Sequence, residues 1–223
     1  MLRYGSLAAL CVASVALCAQ ARADTAIDGV NNYAPADTFP TSDPNYTGYW
    51  TADATGLYFG LNGPDIQSGG SQHFVVAYLG IPGIGSTSGI NFNTQQPNLP
   101  FIATHAFVYR ADGGYTQFFD YSTSAWTPIA STGGTAESGM FFEAGLPWVD
   151  FNYAFVVPPA VNFLAYMLFE GSGFESSYAV MPSTSFPNGT YDPNPDTYFH
   201  RLIPEPTTLA LLTSAGLLLS RRR

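Results

Sequence analysis

A chain of 223 residues with 16 acidic and 7 basic side chains, none of them lysine, carries a formal charge of -9 and an isoelectric point near 4.4. Nucleic-acid partners are excluded, because there is no basic surface to displace counterions from phosphates. Disorder is excluded as well: 46% of residues are hydrophobic, 15% aromatic and only 10% charged, the reverse of a chain too polar to offset its ordering entropy.

In chain order, residues 1–23 have the layout of a secretory signal. Arg3 lies in a short basic start, an apolar run extends from Leu7 to Ala19, and Ala21-Arg22-Ala23 forms a small-x-small cleavage site whose small positions are Ala21 and Ala23. The mature chain is expected to begin at Asp24. The apolar run is shorter than the roughly 18 residues of a spanning helix. Both cysteines, Cys11 and Cys18, fall within this segment, so the mature chain can form neither a disulfide nor a thiolate metal site.

Residues 24–203 are of single-domain size and contain 15 acidic residues against two arginines, Arg110 and Arg201, a formal charge of -13. That repulsion is either solvated or relieved by a cation; outside the cell, calcium is the abundant one that prefers carboxylate and carbonyl oxygens. No apolar repeat of helical period lasts beyond two turns, and Gly or Pro interrupts nearly every window of that length. Runs of aromatic and β-branched residues predict strands at 56–61, 73–81, 103–110, 115–122, 139–144 and 161–170. In the last, Val161, Phe163, Ala165, Met167 and Phe169 share one face while Asn162, Tyr166 and Glu170 take the other, which predicts a half-buried strand with the first face inward. Asp112-Gly113-Gly114 predicts a tight hairpin between the strands holding Phe107 and Phe118. The glycine-rich stretch 83–89 reads as a flexible loop, since it has neither the P-loop lysine nor a following helix. Short strands at this spacing predict an all-β fold, an antiparallel β-sandwich of jelly-roll type.

At the C-terminus, Pro204-Glu205-Pro206 precedes an apolar stretch, Thr207 to Ser220, that ends on Arg221-Arg222-Arg223. A helix of about 14 residues spans about 21 Å, short of the roughly 30 Å hydrocarbon core. Terminal arginines would hold that end on the cytoplasmic side and leave residues 24–203 outside. Pro204, Glu205 and Pro206, the short apolar helix and Arg221, Arg222 and Arg223 together resemble the PEP-CTERM sorting signal. The resemblance covers residues 204–223. It implies an exosortase as a transient partner in the membrane of a Gram-negative bacterium that makes extracellular polysaccharide, and delivery to the cell surface or matrix.

A second resemblance runs through the mature region. Ile27-Asp28-Gly29, then residues 56–61 (GLYFGL), then 74–79 (FVVAYL), then Glu143-Ala144-Gly145-Leu146-Pro147-Trp148 are similar to the order of landmarks in carbohydrate-binding domains of the family 9 and DOMON-like type. Gly80 stands where an acidic residue often follows the third landmark. This likeness implies a β-sandwich, with sugar and calcium among the ligands of such domains. For calcium, Asp28, Asp65 and Asp150 are the candidate ligands.

Sugar rings stack their C–H faces on Trp and Tyr. Tyr46, Tyr49 and Trp50, clustered in a polar stretch, and Trp126, after a Ser-Thr-Ser loop, are therefore the candidate ligand-binding residues, or else members of the core. Glycoside hydrolysis would need two carboxylates across one cleft, for which Glu143 and Glu170 are the candidates. His73, His105 and His200 have no zinc-protease spacing, and no nucleophile elbow occurs. The sequence thus predicts an exported, non-catalytic sandwich that binds glycan or other matrix components. The alternatives are a carbohydrate-active hydrolase or lyase on the same scaffold and a purely structural matrix component.

Overall fold

A computed structural model of the chain describes residues 26–66, 70–151, 157–171, 174–184 and 192–203. The signal segment with Ala21 and Ala23 and the tail with Pro204, Glu205, Pro206 and Arg221 to Arg223 lie outside the described residues. Among the described residues, no helix is long and apolar enough to cross a membrane.

The strands are β1 Thr38–Pro40, β2 Thr47–Ala52, β3 Gly56–Asn62, β4 His73–Gly80, β5 Ser86–Ser88, β6 Asn98–Ala103, β7 His105–Arg110, β8 Thr116–Tyr121, β9 Trp126–Ile129, β10 Gly134–Ser138, β11 Phe141–Pro147, β12 Ala160–Gly171, β13 Phe174–Met181 and β14 Phe199–Leu202. All pairings are antiparallel. One sheet has the order β1-β2-β3-β11-β10 and the other β13-β12-β4-β7-β8-β9, with β14 also on β12. β13 and β14 share one edge of β12 end to end: β14 pairs with its residues 160–163 and β13 with its residues 165–171. The fold is therefore all-β and sandwich-like, as the short aromatic runs predict.

The two sheets enclose one core. Trp50, Leu57, Phe59, Leu61, Phe142, Ala144 and Leu146 from the first sheet meet Val75, Ala77, Leu79, Phe107, Phe118, Val161, Phe163 and Met167 from the second. Phe107 and Phe118 are direct cross-strand partners, as the Asp-Gly-Gly turn predicts. Gly113 holds a φ of +73° there, a conformation that L side chains rarely adopt.

The second sheet departs from the half-buried expectation. The face of β12 that carries Tyr166 also carries Leu164 and Leu168, and all three are buried, as are Phe74, Val76 and Tyr78 of β4 beside them. The cover is the excursion between β4 and β7, which contributes Ile90, Leu99, Phe101 and Ala103 to this second core. The expected flexible loop at 83–89 is in part strand β5, paired with β6 in a small two-stranded sheet. A sheet covered on both faces explains why β4 reads as almost unbroken apolar sequence rather than as an alternation.

Candidate functional site

Of the four aromatic residues considered for ligand binding, Tyr46, Tyr49 and Trp50 are core residues, the alternative left open for them, and do not form an exposed platform. Trp50 is 2% exposed. Its ring lies 5.3 Å from that of Phe163 and 5.2 Å from that of Phe199, with the Arg201 guanidinium 4.8 Å from its centroid. Arg201 also donates to Thr51 Oγ1 and Asp37 Oδ1, each at 2.7 Å, and so fastens β14 across the sandwich to β2. Tyr49 points to the opposite side of β2 and is buried against Tyr33 and Phe141. Tyr46 is buried edge-on to Tyr178. Trp126 alone is partly accessible. Its ring lies 5.2 Å from that of Tyr121, and its indole N–H donates to the Ser88 carbonyl at 3.0 Å.

The carboxylates assigned to hydrolysis do not face each other. Phe142, Ala144 and Leu146 of β11 point into the core, so Glu143 points out of the first sheet. Glu143 is 2% exposed, and its Oε1 accepts the backbone N–H groups of Asp28 at 2.7 Å and Gly29 at 2.6 Å. Gly29 presents its N–H at a φ of +81°, a conformation natural to glycine. Glu170 lies on the far side of the other sheet, on the face of Leu164 and Leu168, opposite Glu175 of β13. A pair on opposite outsides of a sandwich cannot flank one glycosidic bond.

The three aspartates assigned to calcium are likewise dispersed. Asp28 Oδ1 accepts the N–H of Val30 at 2.9 Å. Asp150 draws in the 131–133 turn, taking Ser131 Oγ at 2.6 Å, Thr132 Oγ1 at 2.7 Å and the N–H groups of Thr132 and Gly133. Asp65 follows β3 and accepts the phenol protons of Tyr46 and, at 2.8 Å, Tyr178. Among the described residues, no three His, Cys, Asp or Glu side chains gather into one metal-holding group.

Among the described residues, two places present something to a ligand. The first is a cleft of about 310 Å³ at the edge of the sandwich, where β8 and β9 of one sheet face β10 and β11 of the other. Its volume is at the low end of the roughly 300–1,000 Å³ of small-molecule sites. Phe107, Phe118 and Leu146 form its floor, but each is 2% exposed or less and offers no open ring face. Thr116, Gln117, Ser131 and Thr135 line its walls, and no lining residue is ionisable. Thr135 pairs with inward-facing Ala144, so its side chain points into this space. Asp150 fixes the 131–133 turn that closes it.

The second lies between the sheets at the end where β3 leaves and β4 begins. His73 Nδ1 is 2.7 Å from Tyr178 Oη and 3.7 Å from Asp65 Oδ2, so imidazole, carboxylate and two phenols converge. Burial and the Asp65 hydrogen bond push the Tyr46 phenol well above its ordinary range. Burial, the neighbouring Tyr46 and Asp65 do the same to Tyr178. In the sequence Tyr46, Asp65 and His73 are separate features, and no motif marks Tyr178, Thr116, Gln117, Ser131 or Thr135. Tyr178 lies 113 positions from Asp65, and no sequence period signals such a meeting.

The chain matches no protein-family model and no curated protein.

Proposed function

We propose that this protein is an exported cell-surface or matrix component whose jelly-roll-like domain binds the neutral portion of a glycan in the β8–β11 cleft. The cleft carries the reading: the Thr116 and Thr135 hydroxyls at a small recess with no ionisable lining residue suit a polyol. Export and exosortase processing belong to the same reading and rest on the two terminal segments. The likeness to family 9 and DOMON-like carbohydrate-binding domains rests on the order of short motifs in the sequence. The early Ile-Asp-Gly and the later Glu143 strand, distant in sequence, are joined through the hydrogen bonds from Asp28 and Gly29.

The test is retention of the purified protein on extracellular polysaccharide of its host. Thr135→Phe should fill the cleft and lower retention by at least roughly tenfold, equivalent to about 1.4 kcal/mol, while the circular dichroism spectrum is unchanged. Undiminished retention in a folded Thr135→Phe variant, or no retention of the wild type on any polysaccharide, overturns the reading.

A further inference from the structure

We infer that Tyr46, Asp65, His73 and Tyr178 form a binding site for a hard, high-valent transition-metal ion, with ferric iron the ion whose charge they match. The four side chains come from the segment before β2, the turn after β3, the first residue of β4 and the middle of β13. Their donor atoms nevertheless gather around Asp65 Oδ2. Asp65 Oδ2 is hydrogen-bonded to both phenol oxygens, Tyr178 Oη is 2.7 Å from His73 Nδ1, and Nδ1 is 3.7 Å from Oδ2.

Those separations have the scale of the edges of a coordination polyhedron. With bonds of roughly 2.0–2.1 Å, neighbouring donors stand about 2.9 Å apart at right angles and about 3.3 Å apart at tetrahedral angles. Shifts of less than an ångström would bring these separations to such edges. The route in is open, since the side chain of Asp65 is 33% exposed and that of His73 17%.

The donor set selects the ion. Calcium takes carboxylate, carbonyl and water oxygens in shells of six to eight, and an imidazole with two phenols does not meet that preference. Imidazole nitrogen suits iron, copper, nickel and zinc. Two phenolates and one carboxylate supply three negative charges, which neutralise a trivalent ion; a divalent ion would leave one charge in excess at a site that is half-buried. On binding, the phenol protons of Tyr46 and Tyr178 pass to solvent, three oxygen–metal bonds replace the hydrogen bonds on Asp65, and neutral His73 keeps its proton on Nε2. No electron is transferred. Solvent completes the shell.

The experiment adds ferric nitrilotriacetate to the purified full chain and reads visible absorption. One equivalent should produce a phenolate-to-iron charge-transfer band. Tyr46→Phe and Tyr178→Phe should each weaken and shift it, and the double variant should abolish it. His73→Gln and Asp65→Asn should keep a phenolate band but weaken binding by more than roughly a hundredfold, beyond the loss typical of an outer-shell change. An excess of calcium should not displace the iron. Absence of the band at one equivalent overturns the inference, as does a band of full intensity in the double variant. Should the phenylalanine variants fail to fold, resonance Raman spectra of the wild type decide: tyrosinate modes enhanced in the visible band support the site, and their absence removes it. Glycan retention is a separate readout, because the cleft shares no residue with these four side chains.

Discussion

His105 opens β7 and is 4% exposed, with its ring 5.6 Å from Phe118 and 4.6 Å from Phe151. Burial pulls its pKa down to about 4, against the opposing pull of Asp120, whose Oδ1 lies 3.5 Å from Nε2. The unfolded chain, with an ordinary histidine, binds a proton near pH 6.5, whereas the folded chain binds it only near 4. Between those values the unfolded state holds more protons, so stability falls as the pH is lowered through that window and levels off below it. The loss attributable to this group is on the order of 3 kcal/mol. Urea unfolding of wild type and His105→Phe from pH 7 to pH 4 checks it: the variant should lose distinctly less stability over that range, and parallel curves would refute the assignment. The sequence shows a histidine at a strand start, but not that Phe151 closes over it. The same limit governs Tyr49 and Trp50. Consecutive strand residues face opposite ways, and both are buried because Tyr33 covers one face of β2 and the opposite sheet covers the other.

At the scale of elements, the excursion between β4 and β7 is held by a buried polar link as well as by apolar packing. Gln95 is 2% exposed, donates to Ser177 Oγ at 2.6 Å, and accepts the Tyr166 hydroxyl at 2.9 Å. Gln95→Ala removes the partner of two buried hydroxyls, at a cost of about 1–3 kcal/mol for a group left unsatisfied. Urea denaturation should show that loss. Hydrogen exchange should show β5 and β6 opening more readily than β4, and uniform exchange across all three would refute a local tie. The strands legible in sequence are those whose side chains show a period of two or a continuous apolar run: β3, β4, β7, β8, β11 and β12 agree with the expected runs to within a few residues. The short β9, β10 and β14 expose Thr127, Pro128, Gly134, Ser138, His200 and Leu202. They are strands because a neighbour offers unpaired backbone groups, a cause absent from their own composition.

At the scale of the whole molecule, the charge distribution and the two ends give the reading of destination. Residues 24–203 carry a formal charge of -13 and repel themselves. The last described strand, β14, ends two residues before Pro204. Terminal mass spectrometry on protein recovered from the host should find Asp24 as the first residue and the Arg221 to Arg223 cluster removed. Full-length material with an intact tail in the cytosol would refute export and processing.

The amino-acid sequence by itself determined the all-β class, the main strands and the turn that pairs Phe107 with Phe118, because these follow from local periodicity and local backbone preference. The proposed export and sorting signals are likewise read from linear segments. Only the tertiary structure decided which aromatics are buried, that Glu143 and Glu170 stand on opposite outsides of the sandwich, and that Tyr46, Asp65, His73 and Tyr178 meet. Those outcomes depend on which strand lies beside which and what covers each face, and pairing between residues a hundred positions apart leaves no periodic trace in a single chain.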